Sequence, residues 1–172
     1  MRKPTPGQVL ALTAYITTVP AANWLITHFG LVPVGFGYVA PAAVYTAGLA
    51  LVLRDAVHEY AGRDGALSAM AAASALTYVV ADQRLALASA VSFAVAEGLD
   101  WAVYERLRRR GLALAVLVSG AAGLVVDSLL FLQMAFGSWA LLPGQILGKT
   151  WTTLVAAGVL QVWQRRREVV SE

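Results

Sequence analysis

Residues 112–136, LALAVLVSGAAGLVVDSLLFLQMAF, form an uninterrupted apolar run with one charged side chain, Asp127. A helix that crosses a bilayer needs about 20 mostly apolar residues, so this run predicts a membrane-spanning helix. A charge at the centre of such a helix costs roughly 2.5–3.5 kcal/mol on insertion scales. Asp127 is therefore expected to face the interior of a helix bundle, a partner side chain or a water-filled cavity.

The whole chain has the composition of an integral membrane protein. It is 59% hydrophobic and 13% charged, and its mean hydropathy is +0.66; a soluble domain averages about 25% charged residues. The length of 172 residues suits one domain. The chain contains no cysteine, which excludes disulfides and thiolate metal sites. We therefore expect a single transmembrane domain over residues 1–172.

Six stretches are apolar enough to be spans, and short loops with polar, Gly or Pro residues separate them. The sequence thus predicts an all-α integral membrane protein with six transmembrane helices. The first stretch is expected to be a retained helix, because it holds Pro20 and Asn23 and ends in no small-residue cleavage pattern. The predicted spans are Val9–Thr27, Phe36–Leu53, Gly65–Ala81, Leu85–Tyr104, Leu112–Phe136 and Leu141–Trp163.

Basic residues indicate the orientation. Cytoplasmic loops carry an excess of Lys and Arg. With six spans, eleven basic residues fall on the side of the two termini, whereas the opposite side has only Arg84, and Lys149 lies within a span. Both termini are therefore predicted to be cytoplasmic, in a multi-pass protein of the plasma membrane. The eleven are Arg2, Lys3, Arg54, Arg63, Arg106, Arg108, Arg109, Arg110, Arg165, Arg166 and Arg167.

Two carboxylates share one face of the predicted fourth helix. Glu97 and Asp100 are three residues apart, so both project from the same side. Two carboxylates at close range in a low dielectric do not both ionise cheaply, so one is protonated or a cation or donor-rich ligand lies between them. Alternatively, Asp100 pairs with Arg106 or Arg108 at the end of the helix.

A second polar pair lies on the last two helices. Asp127 and Lys149 are each about eight to ten residues from the same end of adjacent antiparallel helices, so both lie roughly 13 Å deep. The sequence therefore predicts an ion pair between them. The pair is either purely structural or lines a substrate cavity and exchanges partners during transport. In the first helix, Asn23 beside Trp24 suits either a ligand contact or an interhelical hydrogen bond.

A run of interleaved charges ends the predicted second helix. Arg54, Asp55, His58 and Glu59 form either a solvated helix end or a cytoplasmic gate or proton relay, since histidine titrates near neutral pH. A metal site is not expected, because the other histidine, His28, is predicted on the opposite membrane face. The same separation argues against an intramembrane enzyme, so we expect a protein that is not an enzyme and needs no cofactor.

Five short motifs, in chain order, carry a resemblance to a known family. In them the chain resembles the queuosine-precursor transporter family, also called the vitamin uptake transporter family, which is distantly similar to substrate-binding subunits of energy-coupling-factor importers. The loops here are shorter than in many members, and the outer loop before the fourth helix is nearly absent. The motifs are Asn23-Trp24, Arg54-Asp55-x-x-His58-Glu59-x-x-Gly62-Arg63, Asp100-x-x-x-Tyr104, Asp127-Ser128-x-x-Phe131 and Gly144-Gln145-x-x-Gly148-Lys149.

The resemblance implies uptake of a 7-deazaguanine-type base, such as 7-cyano-7-deazaguanine. A guanine-like edge offers N–H donors to a carboxylate and an oxygen acceptor to an amide or ammonium group, and its flat ring packs on aromatic faces. The expected substrate-binding residues are Asn23, Trp24, Glu97, Trp101, Asp127, Phe131, Gln145 and Lys149. The expected gate or proton-coupling residues are Arg54, Asp55, His58, Glu59 and Asp100.

Two transport hypotheses stay open at this point. The chain acts alone, or it is a substrate-binding subunit of an ATP-driven vitamin importer and needs partner proteins. The sequence has no GxxxxGK[ST] loop, so it does not itself supply the phosphate-binding loop of an ATPase. The expected partners are a deazapurine or vitamin-like small molecule and the lipid bilayer, with a homodimer or an energising subunit as further options, and no nucleic acid.

Overall fold

The computed structural model describes the backbone of residues 5–80 and 82–171, and this part of the chain is mostly helical. Arg2 and Lys3, together with the side chains of Asp55, Arg63 and residues 160–171, lie outside the described residues. The predicted orientation depends partly on these residues. The elements are α1 (Pro6–Phe29), β1 (Leu31–Gly35), β2 (Tyr38–Pro41), α2 (Val44–Val80), α3 (Gln83–Leu107), α4 (Leu112–Phe136) and α5 (Leu142–Ser171).

Local capping explains where the helices begin and end. Thr5 and Gln8 form a capping box at the start of α1, with the Thr5 N–H donating to Gln8 Oε1 over 2.8 Å. The Asp82 carboxylate accepts from the Leu85 N–H over 2.9 Å at the start of α3. Gly137, with φ 68°, ends α4 in the left-handed conformation that favours glycine.

Gly62 interrupts α2. Its φ of 69° and ψ of −178° are not helical, so α2 consists of two helical segments joined at this residue. The described residues therefore contain six helical segments, as many as the predicted spans. A glycine suits the position because a side chain at this φ would clash with the backbone.

A β-hairpin separates α1 from α2 and corrects the sequence prediction. β1 and β2 pair antiparallel, with Val32 opposite Ala40. The prediction of an all-α protein missed this hairpin, and its second span began too early at Phe36, because α2 starts at Val44. The β-branched valines favour a strand, and the turn uses Gly35 and Gly37 at positive φ.

The hairpin and α2 pack against α5 through two glycines. A Cβ placed on Gly144 would lie 2.0 Å from the carbonyl oxygen of Val39, and one on Gly148 would lie 2.7 Å from Cγ2 of Val44. Real Cβ atoms do not approach so closely, so any larger residue would push these elements apart. The glycines therefore fix the position of α5 against the hairpin.

Among the described residues, three helices are long and apolar enough to cross a membrane: Pro6–Phe29, Gln83–Leu107 and Leu117–Phe136. They correspond to the predicted first, fourth and fifth spans. Large apolar side chains such as Leu154 and Val79 lie on the outer surface, as expected of surfaces that face lipid. The predicted second, third and sixth spans fall in α2 and α5.

We expect Gly144→Ala to destabilise the protein by about 1–3 kcal/mol, because the added methyl group overpacks against the Val39 backbone. Thermal unfolding of the purified protein in detergent measures this effect. Gly98→Ala is the matched control, since a Cβ at that exposed helical position meets no atom within 4 Å. Equal melting temperatures for the two variants would contradict the close contact between the hairpin and α5.

Candidate functional site

Two cavities lie between the helices, and both are lined by polar residues from the predicted site. The Gln145 cavity, about 80 Å³, is bordered by α1, α2, α3, α4 and α5. The Arg54 cavity, about 410 Å³, is bordered by α2, α3, α4 and α5. The first contains Asp127, Phe131, Gln145 and Lys149 in its wall. The second contains Arg54, Glu97, Asp100 and Asp127.

The predicted ion pair between α4 and α5 is present. Lys149 Nζ donates to Asp127 Oδ2 and, over 3.2 Å, to Ser128 Oγ. The Lys149 side chain is only 2% exposed and that of Asp127 17% exposed. An ammonium group buried this deeply needs an anionic partner, because its uncompensated charge would cost several kcal/mol. The pair holds both charges in the wall of the Gln145 cavity.

A second ion pair, which the sequence did not reveal, joins α2 to α3. Arg54 Nη1 lies 2.5 Å from Glu97 Oε2, and the two side chains are 16% and 12% exposed. Arg54 was expected at a cytoplasmic helix end and Glu97 at the substrate. Because the first segment of α2 continues to Gly62, Arg54 instead lies within a helix. Its contact with Glu97 forms part of the wall of the Arg54 cavity.

Three buried oxygen atoms have no hydrogen-bond partner among the described residues: Gln145 Oε1, Asp100 Oδ1 and Asn23 Oδ1. An unsatisfied buried acceptor costs about 1–3 kcal/mol, so each requires an explanation. Gln145 lines the Gln145 cavity and Asp100 the Arg54 cavity. Each cavity is therefore lined by a residue that has a buried oxygen without a described partner.

Asn23 makes an interhelical hydrogen bond. Its Nδ2 donates to the carbonyl oxygen of Asp82 over 3.2 Å, and the side chain is 4% exposed. This contact joins α1 to the start of α3 and corresponds to the structural alternative for Asn23. Asn23 is not among the described residues that line either cavity.

The structure does not bring the two predicted tryptophans to the cavities. Trp24 is 52% exposed and stacks on His28 with ring centroids 4.3 Å apart, while Trp101 is 49% exposed. Consecutive residues on a helix point about 100° apart, so Trp24 points away from the face that buries Asn23. Neither tryptophan is among the described residues that line a cavity.

Other aromatic rings take that place. Phe131 is 6% exposed and lines the Gln145 cavity with Tyr15, which is 2% exposed, and with Phe93. The sequence analysis did not single out Tyr15 as a site residue. Tyr15, Thr18 and Ala22 follow one another on α1 at intervals of three and four residues, which places them on one face of the helix. This spacing is the sequence signal that could have identified Tyr15 as a site residue.

Among the residues expected to form a gate, the described side chains do not assemble into one cluster. Arg54 and Asp100 line the Arg54 cavity, whereas His58 and Glu59 are exposed. The side chain of Asp55 lies outside the described residues. Among the described residues, no group of three or more His, Asp or Glu side chains is placed to hold a metal ion.

The two cavities are adjacent. Leu51, Phe93 and Asp127 line both of them, so these side chains form the partition. Small-molecule pockets usually enclose about 300–1,000 Å³. The Arg54 cavity falls in that range and the Gln145 cavity does not. The structure therefore has a small cavity and a larger one, and Asp127 lines both.

Comparison with known proteins gives one match. Residues 73–163 match the model of a family described as "Putative vitamin uptake transporter". The matched segment is just over half of the chain and includes α3, α4 and residues 142–163 of α5. It therefore contains Glu97, Asp127, Gln145 and Lys149. No curated protein and no solved structure shows significant similarity to the chain.

We expect Lys149→Met to cost about 3–5 kcal/mol of stability, because it leaves the Asp127 carboxylate unpaired. The double variant Lys149→Met/Asp127→Asn removes both charges and should recover most of that loss. Thermal unfolding in detergent measures both effects.

Glu105→Gln is the matched control for this comparison. It breaks a surface pair, in which Arg108 Nε lies 3.0 Å from Glu105 Oε2, and such pairs contribute about 0–1 kcal/mol. A Lys149→Met protein as stable as Glu105→Gln, or a double variant no more stable than the single one, would contradict the structural dependence on this pair.

Proposed function

Because the chain belongs to the vitamin uptake transporter family, we propose that it imports a flat, nitrogen-rich base of the 7-deazaguanine type across the plasma membrane. Transport and membrane location follow from the family and from the three apolar helices. The substrate is our proposal, supported by the resemblance of the sequence motifs and by the chemistry of the Gln145 cavity.

The observation that carries this proposal is the free acceptor of Gln145 beside the Asp127–Lys149 pair. A guanine-like edge has adjacent N–H donors and a carbonyl oxygen. Gln145 Oε1 and the Asp127 carboxylate would accept from the donors, and Lys149 Nζ would donate to the oxygen. The aromatic ring of Phe131 would pack on the base.

Binding at this site would require the Gln145 cavity to widen. At about 80 Å³ the cavity is smaller than the usual small-molecule pocket. The cavity lies where α3 and α4 meet α1, α2 and α5, so separation of these two groups would enlarge it. We infer that the structure represents a state in which the Gln145 cavity, which the base would enter first, is contracted.

The proposed topology has six spans and both termini in the cytoplasm. The two segments of α2 would be the second and third spans, with Gly62 at the cytoplasmic turn between them. Arg84, at the start of α3, would lie on the outer face, where its Nε donates to the carbonyl oxygen of Met134 over 3.1 Å. The whole chain would act as one transporter domain without enzymatic activity.

One observation favours a second candidate, a substrate-binding subunit that works with an ATP-driven partner. The second segment of α2 leaves Ala71, Ala72 and Ala75 exposed. Small side chains let helices of another membrane protein approach closely in lipid. Uptake of the base by the purified chain alone in liposomes supports the first candidate. Binding without uptake supports the second.

We expect Gln145→Leu to weaken the binding of 7-cyano-7-deazaguanine by about tenfold or more, because one hydrogen bond is lost and its donor is left unpaired. Asp127→Asn should weaken it as well. Equilibrium binding of the radiolabelled base to the purified protein measures Kd.

Gln133→Leu is the matched control, because Gln133 is exposed on the outer face of α4; its Kd should stay within about twofold of wild type. Unchanged Kd in both Gln145→Leu and Asp127→Asn would remove these residues from the site. Stabilisation of the protein by a vitamin, but not by any deazapurine, would replace the proposed substrate.

A further inference from the structure

The larger cavity has no role in the binding site described above. We propose that the Arg54 cavity is a second binding station for the same base, occupied after it leaves the Gln145 cavity and before release. This inference rests on the proposed function and adds a site to it. The Arg54 cavity, at about 410 Å³, is large enough for a small molecule, whereas the Gln145 cavity is not.

The chemistry of the second cavity matches that of the first. Each wall contains a buried acceptor oxygen without a described partner, Gln145 Oε1 in one and Asp100 Oδ1 in the other. In both cases the acceptor lies in a wall that also holds an ion pair, Asp127–Lys149 or Arg54–Glu97. A base with N–H donors would therefore meet a similar set of partners in each cavity.

Asp127 connects the two stations. It lines both cavities, together with Leu51 and Phe93. A carboxylate at the partition can accept from a donor on either side, so the base would keep one charged partner as it moves. Phe93 would offer its ring to the base on both sides. The base would then cross the partition without losing all of its polar contacts at once.

Glycines make room for a flat ring in the second cavity. Gly120 lines it, and a Cβ at Gly120 would meet no atom within 4 Å. Gly123 also lines the cavity, and a Cβ there would lie 3.4 Å from the Cβ of Asp100. Gly120 thus belongs to the wall of the Arg54 cavity and is not among the described residues that line the Gln145 cavity.

Gly120→Phe tests the second station. We expect the variant in liposomes to take up radiolabelled 7-cyano-7-deazaguanine about tenfold more slowly than wild type or worse, because the added ring fills space in the second station. Gly98→Phe is the control, because Gly98 is an exposed helical glycine outside both described walls; its uptake should stay within about twofold of wild type. Wild-type uptake by Gly120→Phe would overturn the proposal.

A milder variant covers the case in which Gly120→Phe does not fold. The natural chain has no cysteine, so Gly120→Cys carries the single thiol and reacts alone with a maleimide. The base should slow this reaction by about fivefold or more, by occupancy of the cavity. Ser138→Cys, in the exposed turn after α4, should react at the same rate with and without the base. Equal rates at Gly120→Cys would overturn the proposal.

The two proposals fail in distinguishable ways. A wild-type protein that neither binds nor takes up the base would overturn both of them. A wild-type protein that does both, while the Gly120 variants behave like wild type, would overturn only the second station.

Discussion

The buried ammonium group of Lys149 is the constraint on which the rest of the bundle depends. A charge in an apolar helix bundle is tolerated only beside an opposite charge with satisfied hydrogen bonds, and Lys149 has Asp127 and Ser128 as partners. This requirement places α5 against α4 at one depth. On another face of α5, Gly144 and Gly148 let the hairpin and α2 approach closely. Together these contacts hold α5 against α4 on one face and against the hairpin and α2 on another.

The Arg54–Glu97 pair imposes a similar constraint on the other side of the partition. The Arg54–Glu97 pair joins α2 to α3, and the Asp127–Lys149 pair joins α5 to α4. One pair therefore links α3, and the other links α4, to a neighbouring helix. Both cavities lie along these same boundaries. The helices therefore meet there partly through polar contacts that water or a ligand can replace. Such boundaries are suited to opening and closing, since an ion pair can exchange partners without leaving a void.

The sequence predicted those parts of the fold that depend on local composition or helical depth. The apolar runs of α1, α3 and α4 are visible as spans, and matched depth predicted the Asp127–Lys149 pair. The Arg54–Glu97 pair was missed because it depends on where the first segment of α2 ends, which a sequence pattern places only within a few residues. The hairpin was missed because its short strands were read as part of a loop and a span. Trp24 and Trp101 were placed at the site by adjacency to polar residues, although neighbouring helix positions point in different directions.

The polar walls also restrict what the protein can carry. A solute that enters between Asp127 and Lys149 separates a buried ion pair, so it must offer a donor to the carboxylate and an acceptor to the ammonium group at the same time. A molecule with donors alone would leave Lys149 unpaired, and one with acceptors alone would leave Asp127 unpaired. The edge of a guanine-like base carries both kinds of group a few ångströms apart and has no net charge, so it can replace the broken pair without adding a charge to the bundle. The same argument holds at Arg54 and Glu97, where the unpaired oxygen of Asp100 adds a further acceptor. At the proposed sites, the two ion pairs would therefore favour a neutral solute with mixed donors and acceptors over a simple cation or anion.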